Sequence, residues 1–229
     1  MGRAQDSLLA DDLAVLDDRE KHRLEGYADD VTRARYAGAR AAIRRTVARW
    51  HDVEPSSVTW ATAPCPGCGS DQHGPPRIQR PVTDWQISVS RSERWWMLAL
   101  SYQAPVGVDI ELRRTHEVSA VVRRCLSRAE QAHVAAARSG GGRDDALMRC
   151  WVRKEAVSKA WGVGLGTDLA RIEVRPEDDH ALIRRTAPGG HSLWDVRDVA
   201  VTGACLAAVA RPAAHAGPVA VRIPTAASS

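Results

Sequence analysis

The chain has 229 residues, a formal net charge of +4 and a sequence pI of about 9.0, with 44% hydrophobic and 26% charged residues. This length and composition are ordinary for one large domain or two small lobes, and they exclude wholesale disorder. The sequence has no apolar run of about 18 residues and no signal-peptide layout, and its five cysteines are an odd, scattered set. We therefore expect a cytoplasmic protein without a membrane span or a disulfide framework, and the mild basic excess indicates an anionic partner.

The first half of the chain predicts a long helix, a loop and three strands. The helix covers residues 30–50, which are rich in Ala and Arg and follow an Asp near the start. Residues 62–83 are rich in Pro, Gly and Cys and predict a loop. Two strands at 85–90 and 94–102 are joined by a short turn, and a third follows in APVGVDIEL, residues 104–112, where side chains alternate in polarity.

Three arginines of the predicted helix, Arg33, Arg40 and Arg44, share one face at helical spacing. This spacing is typical of a solvated basic face, and an anion-binding surface is the alternative.

The second half of the chain predicts two helices and then three strands. A capping box of Ser127 and Glu130 opens the first helix, and Gly162 suits the C-cap of the second. The predicted bounds are 127–138 and 144–161 for the helices and 170–175, 193–200 and 203–210 for the strands. This order of elements predicts an α+β protein with an N-terminal lobe over residues 1–112, a C-terminal lobe over 113–212 and a flexible Ala/Pro-rich tail over 213–229.

Asp109 and Glu111 lie two residues apart on the third predicted strand, so their side chains project from the same face. Two carboxylates this close repel each other unless a cation lies between them, and oxygen ligands of this kind suit Mg²⁺. A solvent-facing strand edge is the alternative, which the D-x-E pattern alone leaves open.

Lysine is rare in this chain. Of 32 basic residues only Lys21, Lys154 and Lys159 are lysines, and the last two flank Glu155. Lys159 lies one helical turn beyond Glu155, and Lys is a compact point charge that Arg does not reproduce. A third carboxylate with two ammonium groups would serve a divalent metal and a diphosphate. Glu–Lys pairing on the surface of an ordinary helix is the alternative.

Two further motifs give weaker indications of a binding site. CPGC at 65–68, together with His73, could bind zinc, but no second pair of ligands stands at suitable spacing. GVGLG at 162–166 follows a helix instead of linking a strand to a helix, so it is not a dinucleotide-binding or P-loop signature.

GVDIE at 107–111 and WVRKEAVSKAWGVGL at 151–165 resemble the two signature motifs of the surfactin-type (Sfp-type) 4′-phosphopantetheinyl transferases. The second family motif reads W-x-x-K-E-(S/A)-x-x-K-x-x-G-x-G-L, and the chain matches every fixed position. The spacing between the motifs and the chain length are also those of the monomeric members, and weaker similarity extends from about residue 20 to residue 210.

The resemblance implies a pseudo-twofold pair of similar α/β lobes with the active site in the cleft between them. It implies transfer of the phosphopantetheine arm of coenzyme A to a serine of acyl or peptidyl carrier proteins of polyketide, nonribosomal peptide or fatty-acid synthases, with release of adenosine 3′,5′-bisphosphate. Asp109, Glu111 and Glu155 would hold Mg²⁺, or Mn²⁺, and Glu155 would also be the base for the carrier serine. Lys159 would stabilise or protonate the leaving phosphate, and Lys154 would add charge to the same pocket.

Looser matches concern the coenzyme A phosphates. ISVSRSERW at 87–95 resembles a family stretch with Ser-His-Ser, and Arg91 replaces the histidine that binds the nucleotide 3′-phosphate. Pro75 stands where many members have a lysine, and Arg77 is the candidate substitute. The coenzyme A ligands that these matches imply are Lys21, Arg33, Ser90, Arg91, Lys154 and Lys159.

The sequence gives fewer indications of how the carrier protein, which accepts the phosphopantetheine arm, would bind. Carrier proteins present an acidic helix, which suits a basic enzyme. EVSAVVRRCLSR at 117–128 predicts either a docking surface or core packing of the second lobe. The short, trimeric carrier-protein synthase type is a rival, against which the chain length and the W-x-x-K-E motif count. An Arg-rich nucleic-acid-binding protein would leave the acidic residues unexplained, so we expect a monomer without a nucleic-acid or membrane partner.

Overall fold

The computed structural model describes residues 1–113, 120–138, 141–164, 167–187, 190–215 and 217–222. The helices are α1 (Ala10–Ala14), α2 (Asp18–Glu25), α3 (Asp30–His51), α4 (Ala120–Arg124), α5 (Arg128–Ala136) and α6 (Gly141–Ala160). The strands are β1 (Gly2–Arg3), β2 (Thr59–Thr62), β3 (Pro76–Arg80), β4 (Trp85–Ser92), β5 (Trp95–Tyr102), β6 (Gly107–Leu112), β7 (His180–Ala187), β8 (Gly190–Asp198) and β9 (Cys205–Pro212). Short 3-10 turns cover Pro55–Ser57, Leu169–Arg171 and Ala213–His215.

The strands form two antiparallel sheets. The first has the order β1-β5-β4-β3-β2, and the second has the order β6-β9-β8-β7. Helix α6 packs on β6 and β9 of the second sheet, and the largest apolar core of the described residues lies between helices α4–α6 and strands β7–β9. The predicted α+β class is confirmed.

Three serines of β4 join the two sheets. Ser88, Ser90 and Ser92 alternate along the strand, and all three side chains are buried. Their hydroxyl oxygens accept hydrogen bonds from three backbone N–H groups of β6 at 3.1, 3.3 and 3.0 Å. The donors are Val108, Ile110 and Leu112. We call this arrangement the serine ladder. Strand β6, which was expected to close the first lobe, is thus an edge strand of the second sheet that contacts the first sheet through side chains.

The long helix was predicted correctly, but the solvated-face reading is wrong for Arg44. This side chain is fully buried, and its Nε donates to Glu20 at 2.6 Å. It also contacts Asp17 and the carbonyl of Val58, while Arg40 pairs with the same Glu20 at 2.5 Å. Asp17 and Glu20 form the capping box of α2, a helix that the sequence did not predict. The basic face of α3 therefore anchors α2 instead of facing only solvent.

The remaining elements bring several corrections. The capping box of Ser127 and Glu130 and the left-handed Gly162, with φ +71°, are confirmed. The predicted loop at 62–83 contains β3, and the strand predicted at 170–175 is wrong, since a 3-10 turn and irregular chain occupy those residues. The buried Arg153 explains this last difference. Its guanidinium donates to the backbone carbonyls of residues 174, 175, 178 and 179, and the first two of these belong to the predicted strand and would otherwise be available to a ladder.

Parts of some predicted features lie outside the described residues. The predicted docking segment, 117–128, lacks its first three residues, and the second motif, 151–165, lacks its last one. The predicted tail lacks residues 216 and 223–229. In the described part of the tail, the carbonyl of Arg222 accepts a hydrogen bond from the amino group of Met1 at 2.9 Å. Among the described residues, every helix is too short or too polar to cross a bilayer.

Candidate active site

A glycine allows β6 to lie directly against α6. A Cβ atom built on Gly107 would be 1.9 Å from the carbonyl oxygen of Ala156 and 2.4 Å from the backbone nitrogen of Ala160. Both distances are far inside van der Waals contact, so only a residue without a side chain fits at this crossing. The crossing brings the acidic end of β6 to the part of α6 that carries Glu155 and Lys159.

Asp109 is at the centre of this contact. Its side chain is buried, and its Oδ1 accepts hydrogen bonds from Lys159 Nζ at 2.6 Å and from Ser90 Oγ at 2.7 Å. Its Oδ2 is buried too and accepts no hydrogen bond from any residue that the structure describes. Burial raises the pKa of Asp109, and the Lys159 ammonium opposes that shift. One carboxylate oxygen is thus held in place while the other is left available.

Glu155 has a similar unused oxygen. Its Oε1 is buried and has no hydrogen-bond partner among the described residues. Burial raises the pKa of Glu155 to about 7, with a further increase from the Asp109 and Glu111 carboxylates and an opposing effect from Lys159. Glu111 is half-buried, and its Oε2 accepts a hydrogen bond from Ser92 Oγ at 2.6 Å. Among the described residues, the Lys159 ammonium contacts one of these three carboxylates, that of Asp109.

This donor set fits a divalent cation. Hard cations such as Mg²⁺ take carboxylate oxygens, and the buried Asp109 Oδ2 and Glu155 Oε1 are two such oxygens without another partner in the described chain. A buried acceptor left without a donor costs about 1–3 kcal/mol, so their presence in one place needs an explanation such as a bound ion. Asp109, Glu111 and Glu155, which were predicted as metal ligands, are the residues that would hold it.

Residues 105–209, which include both β6 and α6, match the family model of the 4′-phosphopantetheinyl transferase superfamily. Over this segment, which is just under half of the chain, the sequence is similar to the 4′-phosphopantetheinyl transferase superfamily. A comparison with curated proteins gives no match to the chain. The match confirms the family resemblance at the level of the superfamily, whose members transfer phosphopantetheine from coenzyme A, and the surfactin type remains a prediction.

Two of the expected coenzyme A ligands, Ser90 and Lys154, are already engaged by other residues of the chain. Ser90 is buried, donates to Asp109 and accepts from the N–H of Ile110. Its hydroxyl hydrogen is donated to Asp109, the candidate metal ligand. Ser90 therefore orients Asp109, and its side chain is buried away from solvent. The sequence signal for this role was the alternation of serines on β4, opposite a strand with alternating carboxylates.

Lys154 corrects the expectation that it contributes charge to the same pocket. Its side chain is fully buried, and its Nζ lies 2.7 Å from Glu130 Oε2. It also donates to the carbonyl of Leu169 at 2.8 Å and to that of Ile172. A buried ammonium with three acceptors is fully satisfied. Together with Arg153, it holds the chain that follows α6, so these two residues of the second motif stabilise the fold, whereas Lys159 contacts β6.

Two of the other basic candidates, Arg33 and Arg91, lie beside Tyr27. The Arg91 guanidinium lies over the Tyr36 ring at 4.9 Å and reaches the Tyr27 hydroxyl at 3.5 Å. Arg33 donates to the Tyr27 carbonyl at 3.2 Å and pairs with Asp30 at 2.7 Å. The structure thus brings Arg33 and Arg91 together through Tyr27. The other two basic candidates, Lys21 on α2 and Arg77 on β3, are exposed.

Proposed function

We propose that this protein transfers the 4′-phosphopantetheine arm of coenzyme A to a serine of apo acyl or peptidyl carrier proteins, with Mg²⁺ or Mn²⁺ held by Asp109, Glu111 and Glu155. The observation that supports the proposal most is the pair of buried carboxylate oxygens without partners, Asp109 Oδ2 and Glu155 Oε1. A carboxylate cluster would repel a diphosphate on its own, and a divalent cation supplies the charge neutralisation when bound.

The proposed reaction forms one P–O bond and breaks another. Glu155 takes the proton from the carrier serine, and the serine oxygen attacks the phosphorus that carries the pantetheine arm. The bond from that phosphorus to the bridging oxygen breaks, and adenosine 3′,5′-bisphosphate leaves. Lys159 neutralises or protonates the leaving phosphate.

The proposed coenzyme A phosphate ligands are Arg91 and Lys21, with Arg33 in a supporting role. Arg91 supports this assignment best, because stacking on Tyr36 and contact with Tyr27 hold its guanidinium in place before a ligand arrives. Arg33 already donates to Leu24, Asp30 and Tyr27. Its contribution is therefore to position the turn between α2 and α3 and to add positive charge.

We further propose the surfactin type, a pseudo-twofold pair of lobes with the coenzyme A cleft between them, acting as a monomer in the cytoplasm. The five cysteines are all free thiols, which suits a reducing compartment. The carriers would come from polyketide, nonribosomal peptide or fatty-acid synthases, and the net charge of +4 suits their acidic helix.

The direct test is to incubate the protein with coenzyme A, Mg²⁺ and a panel of apo carriers and to measure the carrier masses. We expect each accepted carrier to gain one phosphopantetheine, and a carrier with its target Ser changed to Ala should gain none. Glu155→Gln should abolish the gain, whereas Glu173→Gln, at an exposed carboxylate, should not. The absence of a gain on every carrier at saturating Mg²⁺ and coenzyme A would contradict the proposal.

A further inference from the structure

The loop between β2 and β3 brings two cysteines and a histidine together. The ligand atoms of Cys65, Cys68 and His73 all lie within 4.8 Å of one another, and Cys68 Sγ is 3.3 Å from His73 Nε2. Cys65 is buried, and the other two side chains are exposed. All three residues precede the segment that matches the transferase superfamily. The proposed reaction uses none of them.

The backbone of this loop is shaped around the Cys65 sulfur. The carbonyl of Cys65 accepts from the N–H of Gly69 at 2.8 Å, and its own N–H donates to the carbonyl of Ser70 at 2.7 Å. Gly69 has φ +76°, which favours glycine. Backbone N–H groups of Gly67 and Cys68 point at the Cys65 sulfur. A turn of this kind stabilises a thiolate, the form of cysteine that binds metals.

The return of the loop places His73 beside the cysteines. Gly74 follows it, and a Cβ atom built there would lie 1.7 Å from the carbonyl oxygen of Ala63. The backbone N–H of Ala63 donates to the carbonyl of Pro75 at 2.9 Å. The two arms of the loop are therefore in contact, and the position after His73 has no room for a side chain. This contact keeps His73 close to the cysteines in space.

We propose that Cys65, Cys68 and His73 bind one Zn²⁺ ion, with the fourth position taken by water. Two thiolates and an imidazole are ligands that zinc prefers, whereas Mg²⁺ prefers the carboxylates of the other site. With metal–ligand distances of about 2.0–2.3 Å, the ligand atoms of a tetrahedral site lie roughly 3.5–3.8 Å apart. A cluster within 4.8 Å reaches that geometry by adjusting side chains alone.

The zinc site would fix this loop against the end of α6. A Cβ atom built on Gly67 would lie 3.4 Å from Val163, and one built on Gly162 would lie 3.1 Å from Pro75 and 3.2 Å from Pro66. Gly162 and Val163 lie just after the end of α6, and Gly162 has the left-handed backbone conformation. The ion would therefore be structural: it would connect a loop of the first sheet to the helix that carries both candidate catalytic residues.

Metal analysis of the full-length protein, purified without chelator, tests the proposal. We expect about one zinc per chain, and at least a tenfold lower zinc content in Cys68→Ser and in His73→Ala. Both of these side chains are exposed, so the substitutions leave the core unchanged. Cys125→Ser, which removes a cysteine outside the cluster, and Asp109→Asn, which alters the carboxylate site, should both retain the zinc. Replacement of zinc by Co²⁺ should give thiolate-to-metal charge-transfer absorption in the wild type and not in Cys68→Ser.

Three results would overturn the proposal. The wild type could remain free of zinc after incubation with a stoichiometric amount, the cluster variants could retain as much zinc as the wild type, or the intact mass could show a disulfide between Cys65 and Cys68. The structural role has its own readout, hydrogen exchange of residues 63–75 and 160–164. Zinc should slow exchange there in the wild type but not in Cys68→Ser, and equal exchange with and without zinc would contradict that role.

Discussion

Lys159 and Asp109 lie 50 positions apart in the chain, and the Lys159 ammonium donates to the Asp109 carboxylate at 2.6 Å. The contact joins α6 to β6 at the point where the three carboxylates interact. A buried carboxylate that loses its cationic partner is strongly destabilised, by about 3–5 kcal/mol. Lys159 therefore stabilises the folded site as well as serving the proposed leaving phosphate.

Replacing Lys159 by Arg should impair transfer, although the charge is kept. The planar guanidinium is wider than an ammonium and cannot occupy the same position between Asp109 and the phosphate. We expect at least a tenfold lower kcat in the carrier mass assay and a Tm within a few degrees of the wild type. Arg171→Lys, at an exposed site, is the matched control and should leave both values unchanged. Full activity of Lys159→Arg would show that the site needs only a positive charge.

Stability should depend on pH through Glu155. The pKa of this carboxyl is about 7 in the folded protein, above its ordinary value of 4.5, so the folded state binds the proton more tightly than the unfolded state. Its contribution to stability is complete below pH 4.5 and is lost as the pH rises towards 7. In metal-free buffer, Glu155→Gln should therefore become more stable than the wild type as the pH rises, by up to about 3 kcal/mol.

Urea denaturation between pH 4.5 and pH 8.5 measures this difference. The comparison with Glu155→Gln cancels the contributions of groups that both proteins share. Adding Mg²⁺ should reduce the difference at pH 8, because an ion on the carboxylates stabilises their charged form. A difference that does not vary with pH would mean that Glu155 titrates normally.

Replacing Gly107 by Ala should disrupt the crossing of β6 and α6. The added methyl group would lie 1.9 Å from a backbone carbonyl of α6, which no side-chain rotation relieves. We expect loss of soluble protein or destabilisation by more than about 3 kcal/mol. Gly203→Ala is the control, since a Cβ atom there has no neighbour within 4 Å among the described residues, and it should change stability by less than about 0.5 kcal/mol. Thermal unfolding followed by circular dichroism compares the two.

Lys154→Met should lower stability without changing coenzyme A affinity. The substitution removes the cation that pairs with the buried Glu130 carboxylate. Breaking a buried ion pair in this way lowers the free energy of unfolding by about 3–5 kcal/mol. Arg91→Ala should do the opposite, with at least a tenfold higher Kd for coenzyme A and little change in Tm, because its guanidinium is held mainly by ring contacts. Calorimetric titration at a temperature where both variants are folded gives the affinities. A large rise in Kd for Lys154→Met would return this lysine to the binding site.

The carboxylate site could be predicted because local periods determine most of it. The strand period puts Asp109 and Glu111 on one face, and the helix period puts Lys159 one turn beyond Glu155. Lys154 could not be assigned in this way. Its position next to Glu155 is visible in the sequence, but the destination of its side chain depends on Glu130, on another helix, and on carbonyls of a later turn.

Arg44 and the serines of β4 show the same limit. The sequence places Arg44 on the face of a helix, yet its burial depends on Asp17 and Glu20, which lie at the start of a separate short helix. The alternation of Ser88, Ser90 and Ser92 indicates a strand, but their partners lie 20 positions later on a strand of a different sheet. Contacts of this kind depend on the packing of distant elements, which no local pattern contains.

The serine ladder also restricts how the two sheets can move. Because its three hydrogen bonds repeat at every second residue, a slip of β6 by one residue would break all of them together and turn Asp109 and Glu111 to the opposite face. The next matching position is a full repeat away, about 6.6–6.8 Å. Sliding motions of intermediate size are therefore excluded while the ladder is intact. An opening of the two sheets that preserves the ladder would be a rotation about this line of hydroxyl groups, and it would keep the carboxylates beside β4.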